Sequence, residues 1–307
     1  MKYHAILRRC IIGLLLMQQA TFAQSIDFQY EKHHIYLPAT VNGKAARLVF
    51  DSGSSYICLD STFLAGSGLS YPQRGKAMMK GAGDGMQTAD VIFGGVSVSM
   101  NGKTYKPSPV PVIDLRAILK NPADGLFGMG EVKDKVIAID FPKRTIAFLD
   151  ALTPGMTEGY TQVPIEYDPA QPWRAIFPLE VTLRSGTVIS GKGVIDTGSG
   201  QGLEFTSKAA AKYHLDQLED RKPYKMDIGG VGGSSAGYDF GIAGARIGGL
   251  ALPVTEAGYS TNATGALASD VFTTLVGNEV WEHFAIILDL KAKKLYLKGD
   301  SPVGAGE

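Results

Sequence analysis

Apolar residues fall in short runs broken by Gly, Asn, Asp and Pro, a spacing that predicts strands joined by tight turns rather than long helices. Ile35 to Pro38 and Ala46 to Phe50 flank Asn42-Gly43, a pair suited to the type I′ turn, so a hairpin should bring Asp51 to a strand end. Phe177 to Leu183 and Thr187 to Ile195 flank Arg184-Ser185-Gly186 and predict a second such hairpin, ending at Asp196. Glycine-rich turns are expected at 78–86, with a returning strand over Thr88 to Phe93, and again from Ile228 to Ser234. Closing hairpins are expected from Val136 to Leu149 and from Ile286 to Leu297. Short helices are predicted from Asp60 to Leu69, capped by Asp60 or Ser61 and ended near Gly66 to Gly68, and from Thr206 to Leu215. Lys106 to Pro111 carries three prolines and reads as a surface loop or an edge strand, because proline has no N–H for a ladder.

These elements come in two rounds. Leu48-Val49-Phe50-Asp51-Ser52-Gly53-Ser54 and Gly193-Val194-Ile195-Asp196-Thr197-Gly198-Ser199 share one order: apolar residues, Asp, a hydroxyl residue, Gly, Ser. Gly83 and Gly128 lie 32 and 77 residues after Asp51, and Gly232 and Gly277 lie 36 and 81 residues after Asp196. Recurrence at nearly one spacing implies an internal duplication, hence two homologous lobes that each contribute a carboxylate. Ala151 to Asp168 reads as the connection, with the first lobe over 24–158 and the second over 159–307.

Composition narrows the function. Thirty basic and thirty acidic residues give zero formal charge, and no polybasic block selects for nucleic acid or an anionic membrane surface. Lys2, Arg8 and Arg9 precede the apolar run from Cys10 to Met17, and Thr21-Phe22-Ala23 offers a small-x-small cleavage site. Residues 1–23 are therefore expected to be a cleaved signal peptide, too short in its apolar run to span a bilayer, which directs the chain to the periplasm or outside the cell with no lasting membrane insertion. Cys10 stands at the head of the apolar run, where a lipid-anchor cysteine would instead follow it, which argues against a lipid anchor. Without that segment Cys58 is the sole cysteine, so no internal disulfide and no cysteine metal site can form. His33, His34, His214 and His283 show no metal-ligand spacing and read as surface or packing residues. No metal or cofactor is expected. The glycine-rich turn at 78–86 lacks the Lys-Ser or Lys-Thr of a phosphate loop, and neither Asp turn supplies the Gly-x-Ser-x-Gly elbow of a serine hydrolase. Asn262-Ala263-Thr264 fits a glycosylation acceptor, a triplet common by chance, and no function attaches to it.

The two Asp-(Ser/Thr)-Gly-Ser turns, each followed by a hydrophobic-hydrophobic-Gly element, resemble the two-lobed aspartic proteases, pepsin-like in plan and close to the bacterial retropepsin-like branch in detail. The resemblance covers both rounds. It implies a mostly β fold, two β-barrel-like lobes with an inter-lobe cleft and short helices, in which Asp51 and Asp196 are the catalytic pair. It further implies that Leu126-Phe127-Gly128 and Leu275-Val276-Gly277 thread beside the Asp turns as psi-loops, and that the Ser52 and Thr197 hydroxyls cross-link those turns. Around carboxylates on such tight turns, Gly53 and Gly198 allow close approach of backbone N–H groups, and Ser54 and Ser199 are expected to hydrogen-bond the outer carboxylate oxygens. Gly81, Ala82, Gly83, Asp84 and Gly85 read either as a substrate flap or as an ordinary glycine-rich turn. Neither glycine-rich turn has the flap tyrosine of pepsin-like enzymes, and Asp84 near the tip is a departure. The expected protein is an exported, monomeric aspartic endopeptidase acting on polypeptides. The alternatives are a silent peptide-binding protein of the same fold and a processing protease narrowed to one substrate.

Overall fold

The computed structural model describes residues 25–226 and 230–299. The expected signal peptide, and Ile228 and Gly229 of the second glycine-rich turn, lie outside the described residues. Strand β1 (His34–Val41) turns through Asn42 and Gly43 into β2 (Lys44–Asp51). Both turn residues have positive φ, 45° and 81°, so the turn twists with its strands and keeps them in register. After β3 (Ile57–Asp60), helix α1 (Ser61–Ser67) starts at Asp60, whose carboxylate accepts from the Phe63 N–H, and stops at Gly68 in the left-handed region. The first round continues with β4 (Arg74–Met79), β5 (Gln87–Ile92), β6 (Val110–Ile113), helix α2 (Leu115–Leu119) and β7 (Gly125–Gly128). It closes with the hairpin β8 (Val136–Asp140) and β9 (Thr145–Leu149).

The second round repeats the series. It comprises β10 (Gln171–Leu183), β11 (Val188–Ile195), β12 (Leu203–Phe205), helix α3 (Ser207–Lys212) capped by Thr206, β13 (Lys222–Met226), β14 (Ser235–Ile247), β15 (Glu256–Ser260), β16 (Thr274–Val276) and helix α4 (Asn278–Trp281). The hairpin β17 (Phe284–Asp289) and β18 (Lys294–Gly299) ends it. One sheet runs β4-β5-β6-β3-β7-β2-β1, the other β13-β14-β15-β12-β16-β11-β10, so seven strands occur in one order in both. Short strands extend each sheet, and β10 also pairs with β14, which curls the second sheet back on itself. The closing hairpins join in a third, six-stranded sheet: Ile26–Asp27, β9, β8, β17, β18, Thr161–Pro164. Phe50, Phe127, Phe177, Phe205 and Trp281 are buried in one apolar cluster that draws on both rounds.

Two expectations need correcting. Pro111 lies in β6, an interior strand between β5 and β3, rather than in a loop or at an edge. The ladder tolerates it because the parallel partner β3 pairs only from Val112 onward, leaving Pro111 opposite Val91 of the antiparallel β5 alone. The stretch from Ala151 to Asp168 is more than a connection, since Thr161–Pro164 pairs with β18 and Glu166–Asp168 pairs with β10. Among the described residues no helix is long and apolar enough to cross a membrane.

Candidate active site

Each Asp turn is held from below by the strand that follows a glycine-rich hairpin. β7 runs parallel to β2 with Phe127 opposite Phe50 and Gly128 opposite Asp51. The Gly128 N–H donates to Tyr56 O at 3.0 Å and the Met129 N–H to Ser54 O at 2.7 Å. In the second round Leu275 and Val276 pair with Val194 and Ile195, and the Asp196 N–H donates to Val276 O at 3.0 Å. Gly277 donates to Gly202 O and Asn278 to Ser199 O, each at 2.9 Å. The Leu126-Phe127-Gly128 and Leu275-Val276-Gly277 elements thus fix the backbone of both turns. A Cβ at 128 would lie 2.5 Å from Tyr56 O and one at 277 would lie 2.2 Å from Gln201 O, so both positions require glycine for this approach.

The two turns are tied to each other. The Ser52 N–H donates to Thr197 Oγ1 at 2.9 Å, and the Thr197 N–H donates to Ser52 Oγ at 2.9 Å. The same hydroxyls donate onward, Ser52 to Ile195 O at 3.1 Å and Thr197 to Phe50 O at 3.0 Å. Four bonds between buried groups leave the turns little freedom to separate. Asp51 Oδ1 accepts from the Gly53 N–H at 2.7 Å, and Asp196 Oδ1 from the Gly198 N–H at 2.9 Å. Each glycine also faces the opposite carboxylate: a Cβ on Gly53 would fall 2.8 Å from Asp196 Oδ2, and one on Gly198 would fall 2.4 Å from Asp51 Cγ.

The carboxyl groups hydrogen-bond each other. Loss of water in the packed turns pushes both up from the usual carboxylate range, and for Asp51 the neighbouring Asp196 charge adds to this. Asp196 is pulled back by the Arg174 guanidinium and by the N–H groups of Gly198 and Ser199. Two carboxyl groups joined by one hydrogen bond share a proton and carry a single negative charge between them. Such a pair combines an acid and a base within one hydrogen bond.

The serines differ from expectation. The Ser54 hydroxyl accepts from the Tyr56 N–H at 3.2 Å and the Ser199 hydroxyl from the Gln201 N–H at 3.3 Å, so both brace their own turns instead of the outer carboxylate oxygens. A serine two residues before a free N–H closes a local turn more readily than it reaches across to a side chain already bonded to glycine N–H groups.

Gly81 to Gly85 form the turn between β4 and β5, and this turn docks on the second round. Gly83 N–H donates to Val231 O at 3.0 Å, Asp84 N–H to Ser234 O at 2.8 Å, and Ala266 N–H to Gly81 O at 2.9 Å. The Asp84 carboxylate accepts from the Thr264 N–H at 2.7 Å and from its hydroxyl at 3.1 Å. Asn262 is buried beneath the junction, donating to Ala82 O at 3.0 Å and accepting from Ser235 Oγ at 3.1 Å. Its burial gives the Asn-Ala-Thr triplet a packing role.

Three residues at the site were not assigned to it from the sequence. Asn278 donates to Thr197 O and to His33 O, each at 2.7 Å. His34 is buried against the second Asp turn, its Nδ1 donating to Lys32 O at 2.7 Å, and burial holds it below the usual histidine range. Arg174, from β10, reaches across to Gly53 O at 3.4 Å. Only the Asn after Gly277 had a recognisable place, next to a psi-loop glycine.

The mostly β fold with its paired Asp turns is of the aspartic protease type. Residues 37–130 match a family model described as aspartyl protease, which supports an aspartic protease family and a peptidase function in general. The match includes Asp51 and β7 and ends before the second round begins. No curated protein matches the chain closely enough to count as a relative.

Proposed function

We propose that this chain is an exported, two-lobed aspartic endopeptidase, with Asp51 and Asp196 as its catalytic pair and the 24–158 and 159–307 segments as its lobes. The reading includes removal of residues 1–23 on export to the periplasm or the medium and action as a monomer on polypeptides without a cofactor. The observation that carries it is the pair of turns locked by Ser52 and Thr197, which holds the two carboxyl groups in one hydrogen bond, an arrangement that calls for a single shared proton.

The chemistry follows from that proton. Asp196 takes a proton from a water molecule as the water oxygen bonds to the scissile carbonyl carbon, and Asp51 gives its proton to the carbonyl oxygen. The resulting diol collapses as the C–N bond breaks. Asp196 passes its proton to the departing amine nitrogen, and one diol hydroxyl returns a proton to Asp51, restoring the starting state.

Purified protein incubated with a denatured protein mixture from acid to neutral pH is expected to release peptides, and a statine-type inhibitor to stop it. Asp51→Asn and Asp196→Asn are each expected to abolish turnover, a loss of roughly 10³-fold or more, with an unchanged circular dichroism spectrum. Peptide binding without cleavage in the wild type would favour the silent binding protein instead.

A further inference from the structure

We propose that Arg174 is a positioning residue of the Asp51–Asp196 site: it holds the first Asp turn from the second round and supplies the cation that balances the pair. The inference rests on the peptidase reading above and extends it. Arg174 has a side chain only 11% exposed, and its Nη1 pairs at 3.3 Å with Asp168 Oδ2, itself buried and braced by the Ala170 N–H at 2.9 Å. Its Nη2 donates to Gly53 O, the carbonyl of the residue whose N–H holds Asp51. The guanidinium lies 5.7 Å from the centre of the Phe272 ring and lines a small cavity beside Asp196 with Gly53, Leu275 and Phe272.

Desolvating an arginine is costly unless its donors are satisfied, and a pair that served packing alone would need only Asp168. The planar fork instead spends its second arm on the turn of the other round, which a lysine cannot do at the same time. The charges around the pair give the reason. His34 behind Asp196 is kept neutral by burial, and Cys58 near Asp51 is a thiol pushed up by burial. Among these neighbours Arg174 is the one cation, facing Asp168 and the single negative charge of the pair. Its field lowers both Asp51 and Asp196.

The test follows hydrolysis against pH and, separately, the titration of the two carboxyl groups by carbon-13 NMR in protein labelled at aspartate. Arg174→Gln is expected to move both limbs of the pH profile, and both carboxyl titrations, upward by about one unit. Arg174→Lys is expected to restore the limbs while kcat stays reduced, since the bond to Gly53 O is lost. Asp168→Asn keeps the cation and is expected to leave the limbs in place or lower them. Should Arg174→Gln fail to fold, Arg174→Gln combined with Asp168→Asn leaves no unpaired buried charge and is expected to shift the limbs upward by up to the same amount relative to Asp168→Asn alone. A uniform loss of rate with fixed limbs, or Lys behaving as Gln, would overturn the proposal. The NMR titration needs no turnover, so a wild type that hydrolyses nothing would remove the peptidase reading and leave the role of Arg174 still decided by the titration.

Discussion

Glu204 shows how two rounds with one backbone diverge at a single residue. It sits opposite Leu275 as Cys58 sits opposite Leu126, so a carboxyl occupies the place of a thiol. Glu204 is buried, accepts a hydrogen bond from the Tyr224 hydroxyl, and is pushed up to about 8 by desolvation, with nearby Asp239 adding to the effect. Its folded value lies above its unfolded one, so the native state holds the proton more tightly. Stability should therefore fall as pH rises from the usual glutamate range through about 8, then level off. Glu204→Gln keeps the acceptor for Tyr224 and should flatten that slope, worth on the order of 3 kcal/mol between about pH 5 and about pH 9. Urea midpoints at the two pH values check this; an equal pH dependence in the variant would show that other groups carry it. Neither Glu204 nor Arg174 was legible in the sequence, whereas Asp51 and Asp196 were. The aspartates announce themselves through neighbours two residues away, while burial of Glu204 and Arg174 is set by partners such as Tyr224 and Gly53 on distant strands.

Hairpins and caps were legible because their causes are local. Asn42-Gly43, Gly186 after Leu183, and the caps at Asp60 and Thr206 each act within a few residues. The docking of the β4–β5 turn was not legible, since it depends on main-chain groups of Val231, Ser234 and Gly81 that no side-chain pattern reveals. Asp84 is the one side chain at the tip that adds charge to this junction. The N–H groups of Ala263 and Thr264 hold it below the usual carboxylate range. A depressed carboxyl stabilises the docked state above its undocked value, and that contribution disappears as pH falls through the docked value. Asp84→Ala is expected to speed amide hydrogen exchange at Gly83 and Ala266 about tenfold near neutral pH. In the wild type the same amides should speed up on acidification relative to the intrinsic rate, and in the variant they should not. Unchanged protection in Asp84→Ala would mean that the main-chain bonds alone keep the turn docked.

At the scale of the whole molecule, the shared order of seven strands explains why the Asp turns, the glycine-rich turns and the Gly128 and Gly277 elements recurred at nearly one spacing along the chain. The sheet that joins the rounds left no such trace, because β8 and β17 pair across a long sequence separation and each reads only as half of its own hairpin. That sheet has an energetic consequence. Ile139 of β8 stands opposite Ile286 of β17, both buried, so the seam between the rounds belongs to the apolar core. Two rounds fused through a common core should unfold together rather than in sequence. The two tryptophans, Trp173 and Trp281, both lie in the second round, so their fluorescence reports on that part of the chain. Ile139→Ala removes buried methyl groups from the first round and should cost about 2–5 kcal/mol. If the seam couples the rounds, the tryptophan fluorescence midpoint in urea falls as far as the far-ultraviolet circular dichroism midpoint does. A fluorescence midpoint that stays at the wild-type value while circular dichroism shifts would show that each round unfolds on its own.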